Sequence, residues 1–132
     1  MTSIVDEIGP VTDPREMTAT YVRAMNSGAV EAVLGLYTED AVSVWEPGNP
    51  VSGKEHEDGL RAYLARKPSM KAELRESFVT DDTALLVVDW ELDIPAGQGF
   101  EAEHHTGIGL DVLRLGEDGR WRYVVDNPFG EA

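Results

Sequence analysis

Residues 83–94 read TALLVVDWELDI. Ala84, Leu86, Val88, Trp90, Leu92 and Ile94 fall on one side of an extended chain, and that side is wholly apolar. The other side mixes Leu85 and Val87 with Asp89, Glu91 and Asp93. A helix repeats every 3.6 residues and could not hold a twofold pattern over this length, so the segment is a strand. Working outward, KAELRESFVT (71–80) reads as the strand before it, across the turn Asp81-Asp82. Downstream, Pro95-Ala96-Gly97-Gln98-Gly99 turns the chain and residues 100–115 form another long strand. Glu117-Asp118-Gly119 is a hairpin turn signal. A last strand, Arg120–Asp126, closes on Asn127-Pro128-Phe129-Gly130.

Before residue 70 the period is helical. Asp13-Pro14-Arg15-Glu16 supplies an N-cap, a proline at the first helical position and a glutamate three residues after the cap. Met17, Tyr21, Ala24 and Met25 follow at helical spacing, and Gly28 is a natural stop. A shorter helix reads Val30, Val33, Leu34, Tyr37. A short strand, Ala41–Trp45, then meets Glu46 and the turn Pro47-Gly48-Asn49-Pro50. Ser52-Gly53-Lys54-Glu55 resembles a capping box for a third helix carrying His56, Leu60, Tyr63 and Leu64, which ends before Pro68. Residues 1–12 read as a loose arm. The order α-α-β-α-β-β-β-β predicts an α+β fold in one domain over 1–132: a cone-shaped barrel, three helices packed on one curved, mostly antiparallel sheet. Such a cone leaves a cavity between helices and sheet, a usual place for a small-molecule site. Apolar residues on both sheet faces predict a homodimer through the convex face.

Eleven Lys plus Arg against 25 Asp plus Glu give a net charge of −14. Phosphate backbones bind through cations, so nucleic acid and anionic membranes are poor partners for this chain. No cysteine is present, which excludes a disulfide framework and thiolate metal sites. The N-terminus lacks the basic and apolar segments of a secretory signal, and no apolar run reaches the ~18 residues of a membrane span. A cytoplasmic location is expected. Nucleophile elbows, phosphate loops and dinucleotide fingerprints are absent, and no cofactor is expected. The adjacent His104 and His105 lie on opposite faces of a strand and cannot readily chelate one ion, so no metal site is expected.

The residues with chemistry to offer each carry two readings. Glu46 is either a buried base or a charge in water at a strand end. Side chains alternate, so Trp45 and Glu46 cannot both face the cavity unless a bulge intervenes. Asp111, within the apolar run Gly107–Leu113, is either a cavity acid or the partner of an arginine on a neighbouring strand. Tyr21 either packs in the core with its hydroxyl satisfied or bonds a ligand. Asp126 is either a pocket acid or part of an Asp-Asn-Pro turn. Trp90 and Trp45 are expected at the ligand, with His105 at the cavity mouth. His56, on the inner face of helix three, is a contact residue or a core histidine.

YVRAMNSGAVEAVLGLYTEDAVSVWEPGNPVSG (21–53) and GLDVLRLGEDGRWRYVVDNPFG (109–130), taken with the order of elements, resemble the SnoaL-like and ketosteroid-isomerase-like families of the nuclear-transport-factor-two superfamily. The ending DG-W-x-x-x-x-DNPFG is similar to SgcJ/EcaC-type proteins of natural-product pathways. The resemblance implies an α+β cone over roughly residues 14–130. Ketosteroid isomerases combine a carboxylate base at the end of strand one with an oxyanion hole made by a Tyr and a protonated Asp. Tyr21 matches that Tyr and Asp111 that Asp. The base position falls on Trp45, or on Glu46 with a one-residue insertion before Pro47. The implied function is a cofactor-free isomerase, cyclase or hydrolase acting on a small apolar or polycyclic molecule. The alternative is a ligand-binding or accessory protein with the same pocket.

Overall fold

The computed structural model describes residues 8–130. A 3-10 turn, Pro14–Glu16, leads into helix α1 (Met17–Ser27). Asp13 caps it as expected, its Oδ1 accepting from the Arg15 amide at 3.0 Å. Gly28 ends α1 in the left-handed conformation, φ 74°, a position where a Cβ would be strained. Helix α2 is short, Val30–Leu34, and stops at Gly35. The sequence places Tyr37 on this helix; it instead opens strand β1 (Tyr37–Glu46). The cause is tertiary: the Tyr123 amide donates to the Leu36 carbonyl at 2.8 Å, drawing the chain into the sheet.

Strand β2 (Asn49–Val51) is an element the sequence reading missed. The expected turn folds back so that Asn49 and Val51 pair with Glu46 and Ser43 of β1. Helix α3 (Gly53–Ala65) follows, and Ser52 makes no side-chain capping bond. Strands β3 (Ser69–Val79), β4 (Thr83–Ile94), β5 (Glu103–Leu115) and β6 (Trp121–Asn127) complete the chain. The sheet order is β2-β1-β6-β5-β4-β3, with β1 and β6 parallel and every other pair antiparallel. The result is the α+β cone, its three helices packed on a curved six-stranded sheet. It is an open sheet rather than a closed barrel, because β2 and β3 remain as edges.

On β4, Ala84, Leu86, Val88, Leu92 and Ile94 are buried, as their alternation predicts. Ala84, Leu86 and Val88 share one core with Met17, Ala24 and Met25 of α1 and Leu60 and Leu64 of α3. Each fully buried aliphatic side chain contributes roughly 1.5–3 kcal/mol. Residues 1–7 of the expected arm lie outside the described residues. Its far end is anchored, not loose: Val11 is buried and its carbonyl accepts from the Trp121 amide at 2.8 Å. Among the described residues, no helix is long and apolar enough to cross a membrane.

Two register shifts aim the site. Along β5–β6, Val112 pairs with Val125 but Leu113 pairs with Tyr123, leaving Val124 as an extra residue. This bulge reverses the alternation of β6, so both Tyr123 and Asp126 are buried. A second shift lies between Ser43 and Glu46 in β1.

Candidate active site

A cavity of about 380 Å³ opens between the concave face of the sheet, α1 and α3. That volume is in the range of sites for drug-sized ligands, ~300–1,000 Å³. Tyr21, Trp45, Trp90, His105, Asp111 and Asp126 all line it. Glu46 also lines it, but at the exposed rim. The alternation in β1 favours Trp45: its indole Nε1 donates inward to Asp126 Oδ2 at 3.3 Å. His56 does not line this cavity. It is buried behind Trp45, its ring stacked on the indole at 4.9 Å between centroids, and it faces a second, open cleft. Burial lowers the His56 pKa, although the Asp126 charge opposes this.

At the deep end, Asp111 on β5 and Asp126 on β6 are direct cross-strand partners. Both are buried. Burial, then the Asp126 charge and the bond to it, push the Asp111 carboxyl well above the usual carboxylate range. Burial also raises Asp126, against the lowering effect of bonds from Tyr37, Asp111 and Trp45. Two buried carboxyls this close resist ionising together, so the pair titrates as a unit, and Asp111 is the member whose proton is held more strongly.

Three tyrosines complete this end. Tyr37 donates to Asp126 Oδ2 at 2.6 Å. A hydroxyl has one proton, so Tyr21, 2.9 Å from the Tyr37 oxygen, is the donor in that second bond. The proton chain runs Tyr21 to Tyr37 to Asp126. Tyr123 packs edge-on against Tyr21 at 5.3 Å. Burial, its largest cause, raises the pKa of all three well above the ordinary tyrosine value.

The walls are apolar and aromatic. Trp90 donates its Nε1–H to the Pro128 carbonyl at 2.6 Å, and Phe129 meets the Trp90 ring edge-on at 5.5 Å. The turn after Asn127 thus forms part of the cavity wall. It can approach because β5 carries glycine there: a Cβ on Gly107 would lie 2.9 Å from the Trp90 ring and 3.0 Å from the Pro128 oxygen. At the mouth, His105 bonds Glu103 at 2.9 Å, and Glu103 pairs with Arg66 at 2.6 Å. His104 lies on the opposite face, where it pairs with Asp93 and Glu91. These three groups, Asp93 and His104 exposed and Glu91 half-buried, converge closely enough to hold an ion, but their mutual pairing already accounts for the arrangement.

Sequence reasoning missed Tyr37, Tyr123, Thr18 and the Pro128–Phe129 wall. Tyr123 was legible as the residue two after Trp121 on the final strand. Tyr37 was not, because its helical spacing from Val33 and Val30 hid its pairing with β6.

A family model for the SnoaL-like domain matches residues 18–124. Among solved structures, a nuclear transport factor 2-like superfamily protein from Salmonella enterica serovar Typhimurium aligns with TM-score 0.74 at 17% identity, covering 98% of this chain and 92% of that one. A ketosteroid isomerase-like protein from Erwinia carotovora atroseptica aligns with TM-score 0.68 at 22% identity, over 85% and 89%. A candidate scytalone dehydratase from Novosphingobium aromaticivorans aligns with TM-score 0.71 at 16% identity, over 84% and 76%. At these identities the likeness is one of fold. No curated protein matches the chain. The matched span takes in nearly all of the helices and sheet and most of the cavity lining, and the chain belongs to the SnoaL-like family.

Proposed function

We propose that the protein is a cofactor-free acid/base enzyme acting on a small, largely apolar molecule. The observation that carries this reading is the buried Asp111–Asp126 pair facing an apolar cavity. Asp126 takes the role of base. Burial gives it more proton affinity than a solvated aspartate, and it faces the cavity where Glu46 stands at the rim. Asp111 is the acid that holds the proton. Tyr37 and Trp45 keep Asp126 ionised and fix its orientation. Isomerase, cyclase and hydrolase chemistry all use such a pair to move a proton between two positions of a bound molecule. The neighbours named for isomerase and dehydratase activity share the fold that houses it.

The test is a turnover assay across candidate neutral substrates. Asp126→Asn keeps the shape and removes the base, so turnover should fall by about 10²-fold or more. Tyr37→Phe should lower it less, because it removes one bond to the base and leaves the carboxylate. Wild-type rates in both Asp126→Asn and Glu46→Gln would reduce the cavity to a binding site. That second reading, binding without chemistry, draws on the rim position of Glu46 and on the ungapped match, which sets Trp45 at the base position of ketosteroid isomerases. We also propose that the protein works as a homodimer through the convex face of its sheet, with no nucleic-acid or membrane partner.

A further inference from the structure

Most polar groups at the deep end of the cavity have already spent their protons on one another. Tyr21 donates to Tyr37, Tyr37 to Asp126, and Asp111 to Asp126. What these groups still present to the cavity is acceptor capacity. Two buried polar atoms of lining residues find no partner among the described residues: Asp111 Oδ1 and Thr18 Oγ1. Asp111 is 8% exposed and Thr18 6%. Thr18 stands one turn before Tyr21 on α1, which puts both on the same helix face. Native proteins rarely leave such atoms unpaired, because each loses its bonds to water on folding.

The charges around the cavity are one-sided. Glu46, Glu103 and Asp126 line it beside the proton-holding Asp111, and no lysine or arginine does among the described residues. Arg66, beside the mouth, is paired with Glu103 and lies over the Phe100 ring at 4.3 Å. A carboxylate or phosphate entering this space would shed its hydration and meet no cation to replace it.

We infer that the cavity takes a neutral aromatic or polycyclic molecule bearing a hydroxyl group, with that hydroxyl donating to Asp111 Oδ1 and accepting from Thr18 Oγ1. A bare carbonyl satisfies Thr18 alone. A hydroxyl satisfies both, with its ring system against Trp90 and Phe129. Asp111 Oδ1 thus selects a hydroxyl over a carbonyl or an ether, and Thr18 holds the hydroxyl oxygen. This deepens the reading of the same cavity given above, and it is tested by equilibrium binding rather than turnover. A protein that binds as described yet catalyses nothing supports this inference and defeats only the enzymatic reading.

The probes are naphthalene, 2-naphthol, 2-methoxynaphthalene and 2-naphthoate at pH 7, titrated into the full chain and followed by tryptophan fluorescence and by the indole N–H resonances. 2-Naphthol should bind about tenfold or more tighter than naphthalene and than its methyl ether, which keeps the acceptor and loses the donor. 2-Naphthoate should bind at least about tenfold more weakly than 2-naphthol. Thr18→Val should weaken 2-naphthol about fivefold and leave naphthalene within about twofold. The same substitution should hold or raise Tm, because it replaces a buried, unpaired hydroxyl with an isosteric methyl. A structural role for the hydroxyl would lower Tm instead and overturn the assignment. So would equal affinities for 2-naphthol and naphthalene, tighter binding of 2-naphthoate, or no detectable 2-naphthol binding up to its solubility.

Discussion

Asp111 holds a proton at a pH where a solvated aspartate has lost it, and that has a measurable consequence for stability. Its folded-state pKa is raised, by burial first and the neighbouring Asp126 charge second. The folded chain therefore binds this proton more tightly than the unfolded chain does. Stability from this group is fully present below the ordinary aspartate pKa and is lost as pH rises through the raised value. Asp111→Asn mimics the protonated form and removes that dependence. We expect the variant to melt about 3 °C or more above the parent at pH 8, with the gap closing towards pH 4. Calorimetric scans across that range check it; a variant less stable than the parent at pH 8 would show that Asp111 is ionised in the fold. Net self-repulsion at −14 also weakens the chain at high pH, but it acts on both proteins nearly alike, so the difference isolates Asp111.

At the scale of elements, β5 and the turn after β6 are fitted to each other. Gly107 has an ordinary backbone conformation, so alanine there meets a purely steric obstacle. Its Cβ would sit 2.9 Å from the Trp90 ring and 3.0 Å from the Pro128 oxygen. Neither is free to yield, since Trp90 Nε1 and the Pro128 carbonyl are bonded to each other. Gly107→Ala should cost about 1–3 kcal/mol, the scale of overpacking, and should shift tryptophan emission as Trp90 moves. A denaturant midpoint and emission spectrum equal to the parent's would refute this account of the wall. The Val124 bulge has a comparable role. Without it Val125 would face the cavity and Asp126 would point away, and the carboxyl pair would not exist.

For the whole molecule, the convex face is the open question of packing. Phe78, Leu85, Val112, Val125 and Val42 are successive cross-strand partners and form one apolar row over five strands. Phe78 is 57% exposed, Leu85 37% and nearby Ile108 47%. A contiguous apolar row on a single chain marks a surface that another molecule covers. A second copy presents the same row, so a twofold contact is self-complementary. Light scattering at micromolar concentration should give twice the chain mass. Leu85→Glu would place a charge within the row and should return a monomer. A parent protein that is monomeric at that concentration defeats the proposal.

What the sequence determined alone was mostly what depends on local period and turn chemistry. The twofold pattern of Thr83–Ile94, the Asp13 cap and the Gly28 stop all report interactions within a few residues, and each appears in the structure. The placement of Tyr21 and Trp90 on inward faces follows from the same periods, whereas for Asp111 the residues left two readings open and only the resemblance implied an inward place. Other features were settled by contacts between segments far apart in the chain. Tyr37 leaves its helical spacing because β6, more than eighty residues away, supplies hydrogen bonds to its strand. Asp126 turns inward because β6 carries one residue more than β5 does at Val124, which no alternation pattern within β6 alone reveals. Trp45 takes the inward place over Glu46 because its indole finds Asp126 and stacks on His56, partners that exist only once β6 and α3 are docked. Side-chain period is a local property of the backbone, whereas register and the pairing of buried polar groups are properties of the assembled sheet.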